Sequence, residues 1–178
     1  MTNFQRAQPL ILLAEGGFLE DKDGITYEGL CEKDTLDFEG WPTIKAAMPL
    51  KRNELIPDPV LQAKIDAYYE NTRWNKIQGD AILDWKFAAY LYDWFVNSGT
   101  KAVMRLQEVL DLPQTGNFGP ITLAAVNKSN SEGLLALYHE RRKKFYNDHV
   151  ALVPEDAPLL KGWLNRCDEL YSQLLKTN

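Results

Sequence analysis

Stretches with one apolar face at helical spacing recur along most of this chain, and Gly, Pro and Asn residues interrupt them. The first stretch opens with Thr2 and Gln5 at capping-box spacing, and later stretches open on Pro59 and Pro120, the favoured first position of a helix. Seven helices are therefore predicted, over about residues 3–15, 58–69, 79–96, 98–110, 119–127, 131–149 and 158–176. Within this pattern Ser98 is expected to cap the fourth helix. The fold class predicted is mainly α.

Residues 18–57 break the helical pattern. The segment is rich in Gly, Asp, Glu and Pro and has no sustained period, so we expect loops with a short β-hairpin around residues 25–30. A chain of 178 residues with 45% hydrophobic content can bury one sizeable core or two small lobes that share an interface. One compact body is the simpler expectation.

The charge balance argues against a nucleic-acid partner. The formal net charge is −5 and the pI is about 5.1, whereas grips on phosphate backbones rely on clustered Lys and Arg. The one dense basic run, residues 141–144, is interpreted as the solvated face of a helix.

No metal or cofactor motif is found. Cys31 and Cys167 are too far apart to form a metal knuckle or a redox pair and are expected to be free thiols. His139 and His149 are ten residues apart, which is not the spacing of a helical zinc site. Neither a membrane partner nor a signal peptide is predicted, because no apolar run approaches about 20 residues and the N-terminal segment lacks a basic start followed by an uninterrupted apolar stretch.

Glu15 has an unusual position for a carboxylate. It is the last residue of the first predicted helix, and Gly16 and Gly17 follow it. Two glycines permit the left-handed turn that ends a helix and the close approach of another backbone. The helix dipole disfavours a negative charge at this end and tends to raise the pKa of a carboxyl group.

Five runs carry a recognisable pattern: residues 15–18 (EGGF), 23–26 (DGIT), 93–99 (DWFVNSG), 115–122 (TGNFGPIT) and 162–166 (GWLNR). Together they resemble glycosyl hydrolase family 108, the lysozyme-like N-acetylmuramidases, and the predicted peptidoglycan-binding domain that follows their catalytic segment. The resemblance covers nearly the whole chain except about residues 31–57. It implies a lysozyme-like helical fold with a small loop and hairpin region near residues 18–57, a catalytic segment at 1–95 and a peptidoglycan-binding segment at 96–178, packed as one body.

The resemblance also implies catalytic roles for residues near the first helix. Glu15 matches the family's catalytic glutamate, which would donate a proton to the leaving sugar oxygen. Asp23 and Thr26 are the candidates for holding a water on the opposite face. The stretch between Glu15 and Thr26 is shorter than in most members, and Asp23 with Gly24 equally fits a hairpin turn.

A glycan groove combines aromatic platforms with polar hydrogen-bonding groups. The candidates for this groove are Tyr27, Tyr69, Trp74, Asp93, Asn97 and Gln107. Each has a structural alternative: Tyr69 and Trp74 also fit a core role, and Asp93 and Asn97 also fit a role in tying helices together. Trp163 is expected to pack the last helix, and Arg166 fits pairing with a buried carboxylate.

The function that these residues predict is hydrolysis of the β-1,4 bond between N-acetylmuramic acid and N-acetylglucosamine, without a cofactor. A lytic transglycosylase that uses the same glutamate and a non-catalytic peptidoglycan-binding or secretion-associated module are the alternatives. The expected partner is the peptidoglycan glycan strand. The chain is expected to be made in the cytoplasm and to reach the wall by a route that it does not encode, such as holin-assisted release of a phage endolysin.

Overall fold

Eight α-helices, five short 3₁₀ or π-helical segments and one small sheet make up the regular structure of residues 1–22 and 24–177, the part of the chain that this computed structural model describes. The helices are α1 (Asn3–Glu15), α2 (Trp41–Ala46), α3 (Pro59–Tyr69), α4 (Trp85–Ser98), α5 (Thr100–Val109), α6 (Pro120–Lys128), α7 (Ser131–Leu152) and α8 (Ala157–Lys176). The strands are β1 (Phe18–Asp21), β2 (Gly24–Tyr27) and β3 (Leu30–Cys31). The predicted mainly α fold is confirmed.

Helix α4 lies at the centre of the molecule. Every residue from Phe87 to Phe95 is buried, and a helix that is apolar on all sides belongs in a protein interior. Helices α1, α5, α7 and α8 contact it, so elements from both ends of the chain surround it. One cluster of buried apolar residues extends from Phe4 to Leu174, and the expected boundary between residues 95 and 96 falls inside α4.

The predicted helix starts depend on local contacts that the structure contains. The Thr2 hydroxyl accepts a hydrogen bond from the Gln5 amide at 3.2 Å, and the Gln5 side chain accepts one from the Thr2 amide at 3.0 Å. Asp58 caps α3 by accepting from the amides of Val60 and Leu61. These capping interactions satisfy amides that have no partner inside the helix.

Two boundaries around α4 were predicted wrongly. The helix begins at Trp85 rather than near residue 79, because Gln78 is left-handed (φ 49°) and Asp84 caps the later start. Gly79 begins a short 3₁₀ turn (Gly79–Ala81) and lies so close to the Trp74 ring that an added Cβ would be 2.2 Å from it. Ser98 ends α4 instead of capping α5, since the turn between the helices is made by Gly99 with φ 55°.

The segment 18–57 holds more structure than the expected loops and hairpin. Strands β1, β2 and β3 form an antiparallel sheet in chain order, with Phe18 opposite Tyr27 and Tyr27 opposite Leu30. The short helix α2 follows, and its Trp41 and Ile44 are buried. Six residues are too few to show a helical period, so tertiary burial stabilises α2.

Two further properties concern the whole described chain. None of the helices in residues 1–22 and 24–177 is both long enough and apolar enough to cross a bilayer. Cys31 and Cys167 are free thiols, as expected.

Candidate functional site

The carboxylate of Glu15 lies at the point where α1 ends and the chain turns into the sheet. Gly16 adopts φ 76° and caps the helix, as predicted. Gly17 packs against the backbone at Asn53, where an added Cβ would lie 2.6 Å from the carbonyl oxygen. The two glycines thus allow a second segment to approach the end of α1, and the Glu15 side chain keeps 16% of its surface exposed.

The turn between β2 and β3 covers one side of this carboxylate. Gly29 has φ 80°, and a Cβ added there would lie 2.9 Å from Glu15 Oε2 and 2.6 Å from the Tyr69 hydroxyl oxygen. That hydroxyl donates to the Glu28 carbonyl oxygen at 2.7 Å, which anchors the turn to α3. Burial, and next the Glu15 charge, raises the pKa of the Tyr69 phenol, so the phenol keeps its proton at neutral pH.

Arg166 on α8 connects Glu15 to α4. Its Nη2 donates to Glu15 Oε1 at 2.5 Å and to Asp93 Oδ1 at 2.6 Å, and its Nε donates to Asp93 Oδ1 at 3.1 Å. Asp93 is 1% exposed. Elements from the beginning, middle and end of the chain therefore meet at one carboxylate pair bridged by one guanidinium.

A second arginine completes the cluster. Arg142 Nη2 lies 2.7 Å from Asp93 Oδ2, and the Arg142 side chain is fully buried among the rings of Tyr90, Trp94 and Tyr146. Burial by itself would raise the pKa of the Asp93 carboxyl, but the charges of Arg142 and Arg166 hold it below its ordinary value. The interpretation of the basic run 141–144 as a solvated face is therefore wrong for Arg142, whose charge is buried because a carboxylate pairs with it.

Glu28 is a further buried carboxylate beside the site. It is 5% exposed, adopts φ 46°, and its Oε2 has no hydrogen-bond partner in the described part of the chain. Burial, reinforced by the charge of Asp66 on α3, raises the pKa of Glu28 to about 7, while a hydrogen bond from Gln62 acts in the opposite direction. Glu28 thus changes its charge near neutral pH, one residue from the glycine that contacts Glu15.

The remaining candidate residues near Glu15 differ in how deeply they are buried. Thr26 is half-buried on β2, and Asp23 lies outside the described residues. Tyr27 is 2% exposed and its hydroxyl accepts from the Ile56 amide at 2.8 Å, so it fills core rather than lining a groove. Trp74 is also fully buried, against Phe4 and Tyr92, which is the core alternative.

Asn97 and Gln107, the two polar groove candidates that follow Asp93 in the sequence, lie in different environments. Gln107 is buried and organises the following turn: its side chain donates to Thr115, Thr122 and the Asn117 carbonyl and accepts from the Gly116 amide. It therefore holds this turn in place, and it also lines a cavity of about 240 Å³ beside the turn. Asn97 is exposed and donates to the Asp93 carbonyl oxygen at 2.7 Å, so it stays next to the ion cluster.

Comparison with known protein families finds a match for part of the chain. Residues 101–168 match the family described as "Predicted Peptidoglycan domain". The matched segment runs from α5 into α8 and includes Arg142 and Arg166. This match associates the chain with peptidoglycan, as expected. Membership of glycosyl hydrolase family 108 stays a prediction.

A solved structure supports the fold over almost the full length. The structure of Brucella abortus SagA is similar with a TM-score of 0.70 and 24% sequence identity, over 97% of this chain and 93% of that one. A search of curated proteins gives no match. The similarity to SagA extends the fold assignment to α1, the sheet and α3, which the matched segment leaves out.

Arg142 of the cluster and Glu28 beside it were not among the residues singled out for the site, and only Arg142 had a signal in the sequence. Leu135, Tyr138, Arg142 and Tyr146 share one face of α7, and the first two and the last are apolar or aromatic. An arginine in the middle of such a stripe indicates a buried charge. Glu28 had no comparable signal, since an acid before a glycine is typical of a surface turn.

Proposed function

We propose that this chain is a peptidoglycan hydrolase that cleaves the β-1,4 bond between N-acetylmuramic acid and N-acetylglucosamine, with Glu15 as the general acid. The observation that carries the proposal is the ion cluster of Glu15, Arg166, Asp93 and Arg142. It has two carboxylates and two guanidinium groups, and of its carboxylates only Glu15 reaches solvent. The peptidoglycan match of residues 101–168 supports the substrate class.

The cost of burying these charges supports a functional role. Desolvating an ion pair often costs as much as the pair returns, and apolar residues of similar volume commonly serve stability as well or better. A buried network that ends on one accessible carboxylate is therefore better explained by the need to position that carboxylate. Here the network fixes the Glu15 side chain from α8, and the turn at Gly29 fixes it from the sheet.

The cluster also accommodates a change in the charge of Glu15. Arg166 makes two hydrogen bonds to Asp93, so its guanidinium keeps a carboxylate partner whether Glu15 is protonated or ionised. Because Glu15 Oε1 accepts from Arg166, we assign the transferred proton to Oε2. Donation to the leaving oxygen lowers the barrier to an oxocarbenium-like transition state.

Thr26, and Asp23 with it, are proposed to hold the attacking water. Thr26 is half-buried on β2, the strand that leads into the turn at Gly29. A threonine hydroxyl both donates and accepts, so it can orient a water molecule towards the sugar carbon.

The test compares wild type with Glu15→Gln on purified cell walls. General acid catalysis contributes about 10²–10⁴-fold, so release of reducing ends should fall by about that factor while circular dichroism stays unchanged. Glu20→Gln, at an exposed position on β1, is the matched control and should retain activity. Equal activity of Glu15→Gln and wild type would refute the assignment.

Product analysis separates the alternatives. A hydrolase leaves reducing ends, whereas a lytic transglycosylase leaves anhydromuramic ends by using the same acid without water. If wild type and Glu15→Gln both bind cell walls and neither cleaves them, the chain is a binding module, the reading that the matched peptidoglycan segment also supports.

A further inference from the structure

A groove beside the ion cluster has no role in the chemistry at Glu15. It has a volume of about 360 Å³ and is lined by Asn97, Lys101, Phe145, Tyr146, His149 and Trp163. Ser98 also lines it, and apart from Asn97 and Ser98 the lining residues lie in the segment that matches the peptidoglycan domain. We call it the Trp163 groove.

The groove neighbours the ion cluster on both α4 and α8. Asn97 lies one turn after Asp93 on α4, and Trp163 lies one turn before Arg166 on α8. The Asn97 amide donates to the Asp93 carbonyl oxygen, and Arg166 joins Asp93 to Glu15. One helical turn advances about 5.4 Å, so the groove residues on α4 and α8 lie about one turn from the two residues that connect to Glu15.

The lining has the chemistry of a sugar site. The Trp163 ring is held by Tyr146 at 5.2 Å and by His149 at 5.7 Å between ring centroids, and His149 pairs with Asp156 at 2.7 Å. An aromatic ring that is fixed before binding offers an apolar platform at little entropic cost. Asn97 adds an exposed amide group for sugar hydroxyl or acetamido groups.

Lys101 gives the groove a positive charge. It is exposed at the groove, and its ammonium has no carboxylate partner among residues 1–22 and 24–177. The other basic side chain that lines the groove, His149, already pairs with Asp156. Of the two sugars in the proposed substrate, the muramoyl residue is the one that carries a carboxyl-bearing substituent.

We propose that the Trp163 groove is a saccharide subsite for a muramoyl residue of the glycan strand, with Trp163 under the ring and Lys101 on its carboxylate or stem peptide. The proposal rests on the function proposed above. It adds a preference for muramoyl-containing strands over strands made only of N-acetylglucosamine.

Binding is measured by calorimetry in the Glu15→Gln protein, in which cleavage is expected to be lost so that the strand stays intact. The probes are a soluble peptidoglycan glycan fragment and a chitooligosaccharide with the same number of sugars. Trp163→Ala is expected to weaken both by about tenfold, as for an interface anchor, and Trp163→Phe to restore most of the loss. Lys101→Gln should weaken only the muramoyl-containing probe.

The outcomes separate the two proposals. Unchanged affinities in both Trp163→Ala and Lys101→Gln would overturn the subsite, even where wild type cleaves cell walls. Loss of cleavage in Glu15→Gln, measured separately, tests the hydrolase assignment. Should Trp163→Ala fail to fold, the exposed Lys101→Gln decides: equal weakening of both probes, or of neither, overturns the proposal.

Discussion

Replacing Glu28 with glutamine should stabilise this protein at neutral pH and leave its stability unchanged in acid. Glutamine has nearly the same shape and can keep the left-handed backbone of the turn, so the main change is removal of a buried ionisable group. Burial and the neighbouring Asp66 raise the pKa of Glu28 from 4.5 to about 7 in the folded protein. Folding therefore favours the protonated form.

The sign and size of the effect follow from proton linkage. Below pH 4.5 Glu28 is protonated in both states, so it costs the folded protein nothing. As pH rises from 4.5 through about 7, the folded state holds more protons than the unfolded state, and the free energy of unfolding falls. At about 1.4 kcal/mol per pH unit, the loss approaches about 3 kcal/mol at pH 8.

Urea unfolding at pH 4, 5, 6, 7 and 8, followed by tryptophan fluorescence, measures this difference. Wild type and Glu28→Gln should have similar unfolding free energies at pH 4 and diverge by about 3 kcal/mol at pH 8. In thermal unfolding that difference corresponds to a Tm about 6–12 °C higher for Glu28→Gln at pH 8.

Glu20→Gln is the control, because Glu20 lies exposed on β1 in the same sheet. Its unfolding free energy should follow wild type at every pH. A difference between wild type and Glu28→Gln that is constant from pH 4 to pH 8 would refute the argument, since a packing change has no such pH dependence.

Other substitutions test the contacts that hold the site. Gly29→Ala should destabilise the protein more than Gly24→Ala and reduce cell-wall cleavage, because a methyl at 29 meets site atoms at 2.6–2.9 Å whereas one at 24 meets nothing within 4 Å. Thermal unfolding and cleavage rates of both variants measure this difference, and equal behaviour would contradict it. Arg142→Met should lower the free energy of unfolding by about 3 kcal/mol, because it leaves Asp93 with one guanidinium in a fully buried position; a loss under about 1 kcal/mol would argue against the pairing. Gln107→Leu should lower the free energy of unfolding in urea by about 2–4 kcal/mol and make the following turn more sensitive to proteases. An unchanged protease cleavage pattern would show that other contacts hold the turn.

Local signals in the sequence predicted the helix starts correctly where the deciding contacts span only a few residues. The capping pair Thr2 and Gln5 and the cap at Asp58 are examples. The prediction was wrong at residues 79–84, where Gly79 packs beneath the Trp74 ring. It missed α2, whose stability comes from burying Trp41. Both errors arise where tertiary packing outweighs local preference.

The sequence alone determined that Glu15 ends a helix and that glycines follow it, because helical spacing and left-handed caps are properties of neighbouring residues. Only the tertiary structure decided what the carboxylate touches. Arg166 is 151 residues from Glu15 and 73 from Asp93, and their contact depends on how α1, α4 and α8 pack together. Side-chain periodicity tells which face of a helix is buried, but it does not specify which distant charge that face will meet.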